Sequence, residues 1–181
     1  EMARREGCDF VVGIGGGSPL DAAKAIAWAA AEGVPRERFF RRLPEPGDAA
    51  LPIVAVPLTC GTGSEVTPYA IITDHGTRSK VNVSGPCLFP RVALLDARYL
   101  ESLPQAVVAD TALDALSHAI EGAYSPRATR FAEALALEAV RLIMPELVRL
   151  AHGGFVNLGQ LQYAAAVAGM VIAQTGTGLV H

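Results

Sequence analysis

Hydrophobic residues change their spacing part-way along this chain. In the first part they come as short runs, FVVGI at 10–14, LPIVAVPL at 51–58 and RVALLDA at 91–97. Short β-branched runs of this kind predict strands, and their continuous apolar character suits strands covered on both faces, as in a parallel sheet flanked by helices. Between the first two runs, 19–31 is Ala-rich and spaced as a helix, and a Pro- and Arg-rich loop follows over 36–48. Strand, helix and strand in that order predict a βαβ unit.

Past Leu103 and Pro104 the strand signal stops. Residues 106–123, 128–151 and 157–173 carry long Ala- and Leu-rich helical periods, with Pro145 expected to bend or break the second helix. The pattern therefore predicts an α/β part over 1–104 and an all-helical part over 105–181, meeting near 102–105. There is no internal repeat and no low-complexity tract.

Composition narrows the function class. With 51% hydrophobic and 18% charged residues the chain has the apolar material for a core, yet no run approaches the ~18 apolar residues of a membrane span. The opening EMARREGCDF lacks the order of a secretory signal, so cytoplasm is the expected compartment. Cys8, Cys60 and Cys87 are odd in number and far apart, which argues against a disulfide framework and against a thiolate zinc knuckle. A net charge of -3 without a Lys/Arg cluster gives no footprint for nucleic acid, and no basic amphipathic helix offers a membrane-surface role. Small-molecule chemistry is what remains.

The stretch GIGGGSPLDAAKAIA sets Gly15, Gly16 and Gly17 between the first strand and the first helix. A helix start carries unpaired N–H groups and partial positive charge, and residues without Cβ let a phosphate approach the backbone closely. Ser18 is expected at the N-cap, Pro19 at the first helical position and Asp21 as the acid of a capping box. A pyrophosphate is the best candidate ligand, and a plain capped helix after a flexible turn is the alternative. The motif is neither GxGxxG nor GxxxxGK[ST]. A second small-residue loop, PLTCGTGSEVT at 57–67, follows the second strand and offers the hydroxyls of Thr59, Thr62 and Ser64. Ligand crevices of open parallel sheets lie beyond the carboxyl ends of the strands, so both loops are expected to line one crevice. Lys80 could neutralise a phosphate or bond a ribose, or simply be solvated surface.

TALDALSHAIEGAY, 111–124, puts Asp114 and His118 one helical turn apart on one face. That pair can chelate a divalent metal or form a surface ion pair. His181, after TGTGLV, is a third candidate ligand, and an N/O set without thiolate suits Fe(II), Zn(II) or Mn(II). Glu121 lies on roughly the same side and could orient a ligand or be a helix-surface carboxylate. His75, in TDHGT, and His152, in AHGG, read as exposed.

With GIGGGSPLDAAKAIA, PLTCGTGSEVT and DALSHAIEGAY in this order, the chain resembles the iron-containing (group III) alcohol dehydrogenases, whose fold is shared with dehydroquinate synthase and glycerol dehydrogenase. The resemblance spans essentially the whole sequence. It implies an N-terminal α/β dinucleotide-binding domain, a C-terminal helical domain and a catalytic metal in the cleft between them. It also implies that Gly16, Gly17 and Ser18 touch the pyrophosphate of NAD or NADP with Asp21 close by, and that Leu58, Thr59, Thr62 and Lys80 lie along the cofactor. Asp114, His118 and His181 become ligands of Fe2+, or alternatively Zn2+. Family members are longer and carry a fourth ligand, a histidine, further on, so the chain is expected to be an internal portion of a homo-oligomeric enzyme.

The implied reaction is hydride transfer between a small alcohol, aldehyde or ketone and NAD(P), with the metal as Lewis acid on the substrate oxygen. Within the fold, the competing reading is a metal-free reductase of the maleylacetate reductase type, against which the Asp114/His118 pair argues. From another class, it is an inactive nucleotide-binding or assembly fragment.

Overall fold

A computed structural model describes residues 2–34, 49–178 and 181. The chain divides into two compact units, Glu1–Pro57 with Thr67–Leu94, and Leu58–Val66 with Leu95–His181. The Pro- and Arg-rich stretch 36–48 lies outside the described residues.

In the first unit, a single-turn helix α1 (Met2–Arg5) precedes β1 (Val11–Gly15), α2 (Gly17–Glu32), β2 (Ile53–Pro57), β3 (Tyr69–Asp74), β4 (Ser79–Ser84) and β5 (Val92–Ala93). β1, β2 and β5 form a parallel sheet with β2 in the centre, registered from Val11 opposite Ile53 to Gly15 opposite Pro57, and at Val54 opposite Val92. The expected βαβ unit is present. Helix α2 reaches its strand because the strand's inner face is glycine. A Cβ on Gly13 would come 2.9 Å from Ala23 Cβ, and one on Gly15, whose φ is 146°, would come 2.6 Å from Pro19 Cγ. Gly15 is thus required by helix–strand packing. The opposite face of β1 shows Val12 and Ile14 46% and 59% exposed, so burial of the sheet on both faces is not observed. The reason is coverage: among the described residues of this unit, α2 is the one long helix, and it packs on one side.

Strands β3 and β4 form an antiparallel hairpin, from Tyr69 opposite Ser84 to Asp74 opposite Ser79, that the sequence pattern did not predict. Its turn is closed by Asp74, whose carboxylate accepts from Gly76 N–H at 2.9 Å and Thr77 Oγ1 at 2.6 Å. Ala70 and Val83 bury against Trp28 and Leu88.

The second unit packs three helices, α3 (Gln105–Tyr124), α4 (Arg130–Ala151) and α5 (Leu158–Thr175), against one another. Val108, Ala112, Ala115, Ile143, Leu161, Ala168 and Val171 are in its core. Thr129 caps α4 by accepting from Ala132 N–H at 3.2 Å, and Asn157 caps α5 by accepting from Gln160 N–H at 3.0 Å. Helix α4 runs through Pro145 without a break. Helix α5 is buried on nearly every side, as expected of a sequence apolar all round.

The small-residue loop Leu58–Val66 packs with these helices. A Cβ on Gly61 would lie 2.6 Å from the Thr111 carbonyl oxygen, and one on Gly63 would lie 2.5 Å from Gly169 Cα. Cys60 is fully buried, with its thiol 3.3 Å from Thr111 Oγ1. In the second unit the Ala97–Leu100 turn delivers Leu100 to the helical core. Among the described residues no helix is long and apolar enough to cross a membrane.

Candidate functional site

Helix α3 presents Asp114, His118 and Glu121 on one side, since a spacing of four and then three residues returns each to the same face. His181 comes from the segment after α5. That segment is anchored at its start: Ser125 Oγ and Arg127 Nε both donate to the Thr175 carbonyl, at 2.9 and 3.0 Å. Gly176 then turns the chain with φ 70° and ψ 179°, and the Arg127 guanidinium fills the space that a Cβ would need. The His181 ring lies on the His118 ring, stacked with centroids 4.4 Å apart and planes at 26°. One oxygen of Asp114, Oδ1, faces both Nε2 atoms, 3.9 Å from His118 and 3.4 Å from His181.

His118 is buried, and burial, which penalises the charged ring, holds its pKa below the ordinary 6.5. The Asp114 charge opposes the shift, the neighbouring His181 adds to it, and a backbone contact with Gly61 and the charge of Glu121 oppose it more weakly. Its Nδ1 is buried without a hydrogen bond of regular geometry. The neutral ring is the metal-binding form, so the environment favours a donor.

Asp114, His118 and His181 each offer one ligand atom, and these atoms all lie within 4.8 Å of one another. Around one four-coordinate cation with bonds of ~2.0–2.2 Å, ligand atoms sit ~3.3–3.6 Å apart, so a contraction of about an ångström at the widest pair would close the set. Two imidazoles and a carboxylate, without thiolate, are donors that Fe2+ and Zn2+ both accept. The residues fit a divalent metal.

The glycine loop is built differently from expectation. Ser18 is not the N-cap: Gly16 is, in extended conformation (φ -76°, ψ -162°), and no side chain caps this end. The first intrahelical bond runs from Leu20 N–H to the Gly16 carbonyl at 3.3 Å. Pro19 fits inside the first turn because no N–H there has a helical partner to lose, which lets the helix begin at Gly17. The N–H groups of Gly17 and Ser18 thereby open α2 without a capping side chain. Asp21 forms no capping box; its carboxylate accepts from Ile71 N–H at 2.9 Å and lies 3.9 Å from Lys24 Nζ, tying α2 to β3. Lys80 is exposed on β4, opposite Thr73. Leu58, Thr59 and Thr62 lie in the loop that packs with the helical unit, where Thr62 Oγ1 accepts from Ser64 N–H at 3.3 Å. Ser125 and Arg127, which hold the His181 segment, were not singled out in the sequence; Arg127 beside the break after α3 was the available signal.

Two family models match this chain: iron-containing alcohol dehydrogenase over residues 1–97, and the C-terminal part of the Fe-containing alcohol dehydrogenases over 108–181. The chain belongs to the iron-containing alcohol dehydrogenase family. Its parallel-sheet part followed by a helical part is the fold of that family. An NAD-dependent methanol dehydrogenase from Bacillus methanolicus is 37% identical over all of this chain and 48% of its own length. The crystal structure of an iron-containing alcohol dehydrogenase from Thermotoga maritima superposes with a TM-score of 0.87 at 43% identity, over 99% of this chain and 49% of that one. A sulfoacetaldehyde reductase from Bifidobacterium kashiwanohense, crystallised with NAD+, gives a TM-score of 0.89 at 30% identity over 99% and 48%. The chain spans 48% of the length of the methanol dehydrogenase and 21% of that of an aldehyde-alcohol dehydrogenase from Entamoeba histolytica, 38% identical over 97% of this chain.

Proposed function

We propose that this chain carries the nucleotide- and metal-binding elements of a cytoplasmic, NAD(P)-dependent iron-type alcohol dehydrogenase that interconverts a small alcohol with its aldehyde or ketone. The observation that carries the reading is the meeting of Asp114, His118 and His181 donor atoms. NAD is the cofactor favoured by the named relatives, with NADP in the same role as the alternative, and Fe2+ is favoured over Zn2+ by the family. Cys8, Cys60 and Cys87 form no disulfide, in keeping with a reducing compartment. Residues 1–104 are assigned to the dinucleotide-binding domain and 105–181 to the helical metal-binding domain.

Each part has its task. Gly16, Gly17 and Ser18 present an uncapped helix start to the pyrophosphate, with backbone N–H groups and helix dipole directed at its charge. Asp21 holds α2 to β3 and so sets the helix at the phosphates, while Leu58, Thr59, Thr62 and Lys80 line the rest of the dinucleotide. Asp114, His118 and His181 would hold the metal, which would supply Lewis-acid polarisation of the substrate oxygen, and the nicotinamide would supply the hydride chemistry. The single carboxylate of Asp114 offsets one positive charge and leaves the rest to act on substrate. The buried, uncharged ring of His118 adds none.

Asp114→Ala in the full-length protein tests the division. Turnover is expected to fall by several kcal/mol in the transition state, roughly a thousandfold or more, with NAD(P)H affinity unchanged within a few-fold. Nucleotide affinity that falls in step with turnover would contradict it.

A further inference from the structure

Glu121 sits on the metal face of α3, and its side chain is 11% exposed. Both of its oxygens are engaged by the segment that delivers His181. Oε2 accepts from Gly178 N–H at 2.5 Å, and Oε1 lies 2.6 Å from His181 Nδ1. A Cβ on Gly178 would come 2.9 Å from Oε2, so the glycine is what lets the backbone reach the carboxylate. A solvated helix-surface carboxylate would show neither the burial nor the two partners.

The His181 ring spans two carboxylates, with Nδ1 toward Glu121 and Nε2 3.4 Å from Asp114 Oδ1. A neutral imidazole has one N–H. In that neutral ring the 2.6 Å contact with the Glu121 carboxylate oxygen, an acceptor, places the proton on Nδ1. Nε2 is then left with its lone pair turned toward the Asp114 oxygen, two acceptors with no hydrogen between them. Either a second ring proton or a cation resolves that opposition, and the meeting of Asp114, His118 and His181 donor atoms at Nε2 fits the cation. Metal-bound histidines generally donate their second ring nitrogen to a carboxylate or carbonyl in this manner, which sets tautomer and ring orientation together.

We propose that Glu121 is a positioning residue of the metal site, whose two oxygens hold Gly178 N–H and His181 Nδ1–H and thereby present His181 Nε2 to the cation. The inference rests on the metal reading of Asp114, His118 and His181 given above. The isosteric Glu121→Gln variant separates orientation from bulk. Its amide oxygen can keep the Gly178 bond, but its NH2 group then faces Nδ1, drives the ring proton to Nε2 and blocks the ligand atom.

The test uses the full-length protein stripped of metal and titrated with Zn2+ against a competing chelator, together with 15N spectra of histidine-labelled metal-free protein at a pH where the ring is neutral. Wild type is expected to bind Zn2+ and to carry the His181 proton on Nδ1. Glu121→Gln is expected to bind about 10–100-fold more weakly, with the proton moved to Nε2, and Glu121→Asp to recover part of the loss. Zn2+ affinity of Glu121→Gln within threefold of wild type, or a wild-type His181 protonated on Nε2, overturns the role of Glu121. Wild type that takes up no Zn2+ overturns the metal reading instead, a distinguishable failure.

Discussion

Replacing Gly63 by alanine tests the contact on which the 58–66 loop depends. Gly63 has φ 60°, and its Cβ would lie 2.5 Å from Gly169 Cα, 3.1 Å from Gly169 N and 3.2 Å from the Ala165 carbonyl oxygen. Carbon atoms pack at ~3.5–4.0 Å, and the obstacle is the backbone of the buried α5, so the loop must withdraw by ~1 Å. Two costs combine: ~1–2 kcal/mol for alanine in the left-handed region and ~1–3 kcal/mol for overpacking. The lower entropy of the unfolded alanine chain offsets ~0.4–1 kcal/mol, which leaves a net loss of ~1–4.6 kcal/mol. Urea unfolding followed by far-ultraviolet circular dichroism, which reports the helices, measures it. Gly169→Ala is the sharper companion. An alanine inside a helix gains ~1 kcal/mol over glycine, but here its Cβ would meet Val66 Cγ2 at 2.7 Å and Gly63 Cα at 2.8 Å. The expected net effect is destabilising. A Gly169→Ala protein that is more stable by the full propensity gain would refute the close approach.

Cys60 is expected to resist thiol reagents in the folded protein while exposed Cys8 reacts, with Cys60 modified only as urea unfolds the chain. Burial raises its pKa above the ordinary 9.0, and the Thr111 bond opposes this only in part. Its contribution to stability is therefore complete below pH 9.0 and is lost as pH rises from there through the higher folded value; a Cys60→Ser protein should lack that alkaline limb of the stability profile. Lys24 is fully buried, and its Nζ donates to the Tyr69 carbonyl at 2.7 Å beside Thr67 Oγ1 and Asp21. Lys24→Met should cost ~1.5–3 kcal/mol, the range for a hydrogen bond to a charged group, read from the fluorescence of buried Trp28 during denaturation; unchanged stability would show the lysine to be dispensable.

The βαβ unit and the three helices were legible because each follows a clean hydrophobic period: 10–14, 51–58 and the stretches after Pro104 hold the observed elements β1, β2, α3, α4 and α5. The β3–β4 hairpin was not, since its strands alternate apolar and polar residues too briefly to stand out, and DHG read only as a turn. The start of α2 was displaced because Ser-Pro resembles a cap and first position, whereas glycine can cap from its backbone alone and proline tolerates the whole first turn. Asp114 and His118 were visible from local spacing. The approach of His181 was not, because it depends on how α5 packs and on the tethers from Ser125, Arg127 and Glu121, all of them tertiary. The packing of 58–66 with the helices hinges on two backbone-to-backbone contacts at glycines, which no hydrophobic period records.

The most direct measurement is an anomalous difference map from crystals of the full-length protein, collected on both sides of the iron and zinc absorption edges. The expected result is one strong peak bonded to Asp114 Oδ1, His118 Nε2 and His181 Nε2 at ~2.0–2.2 Å. A metal peak elsewhere, with those three side chains bound only to one another or to water, would contradict it.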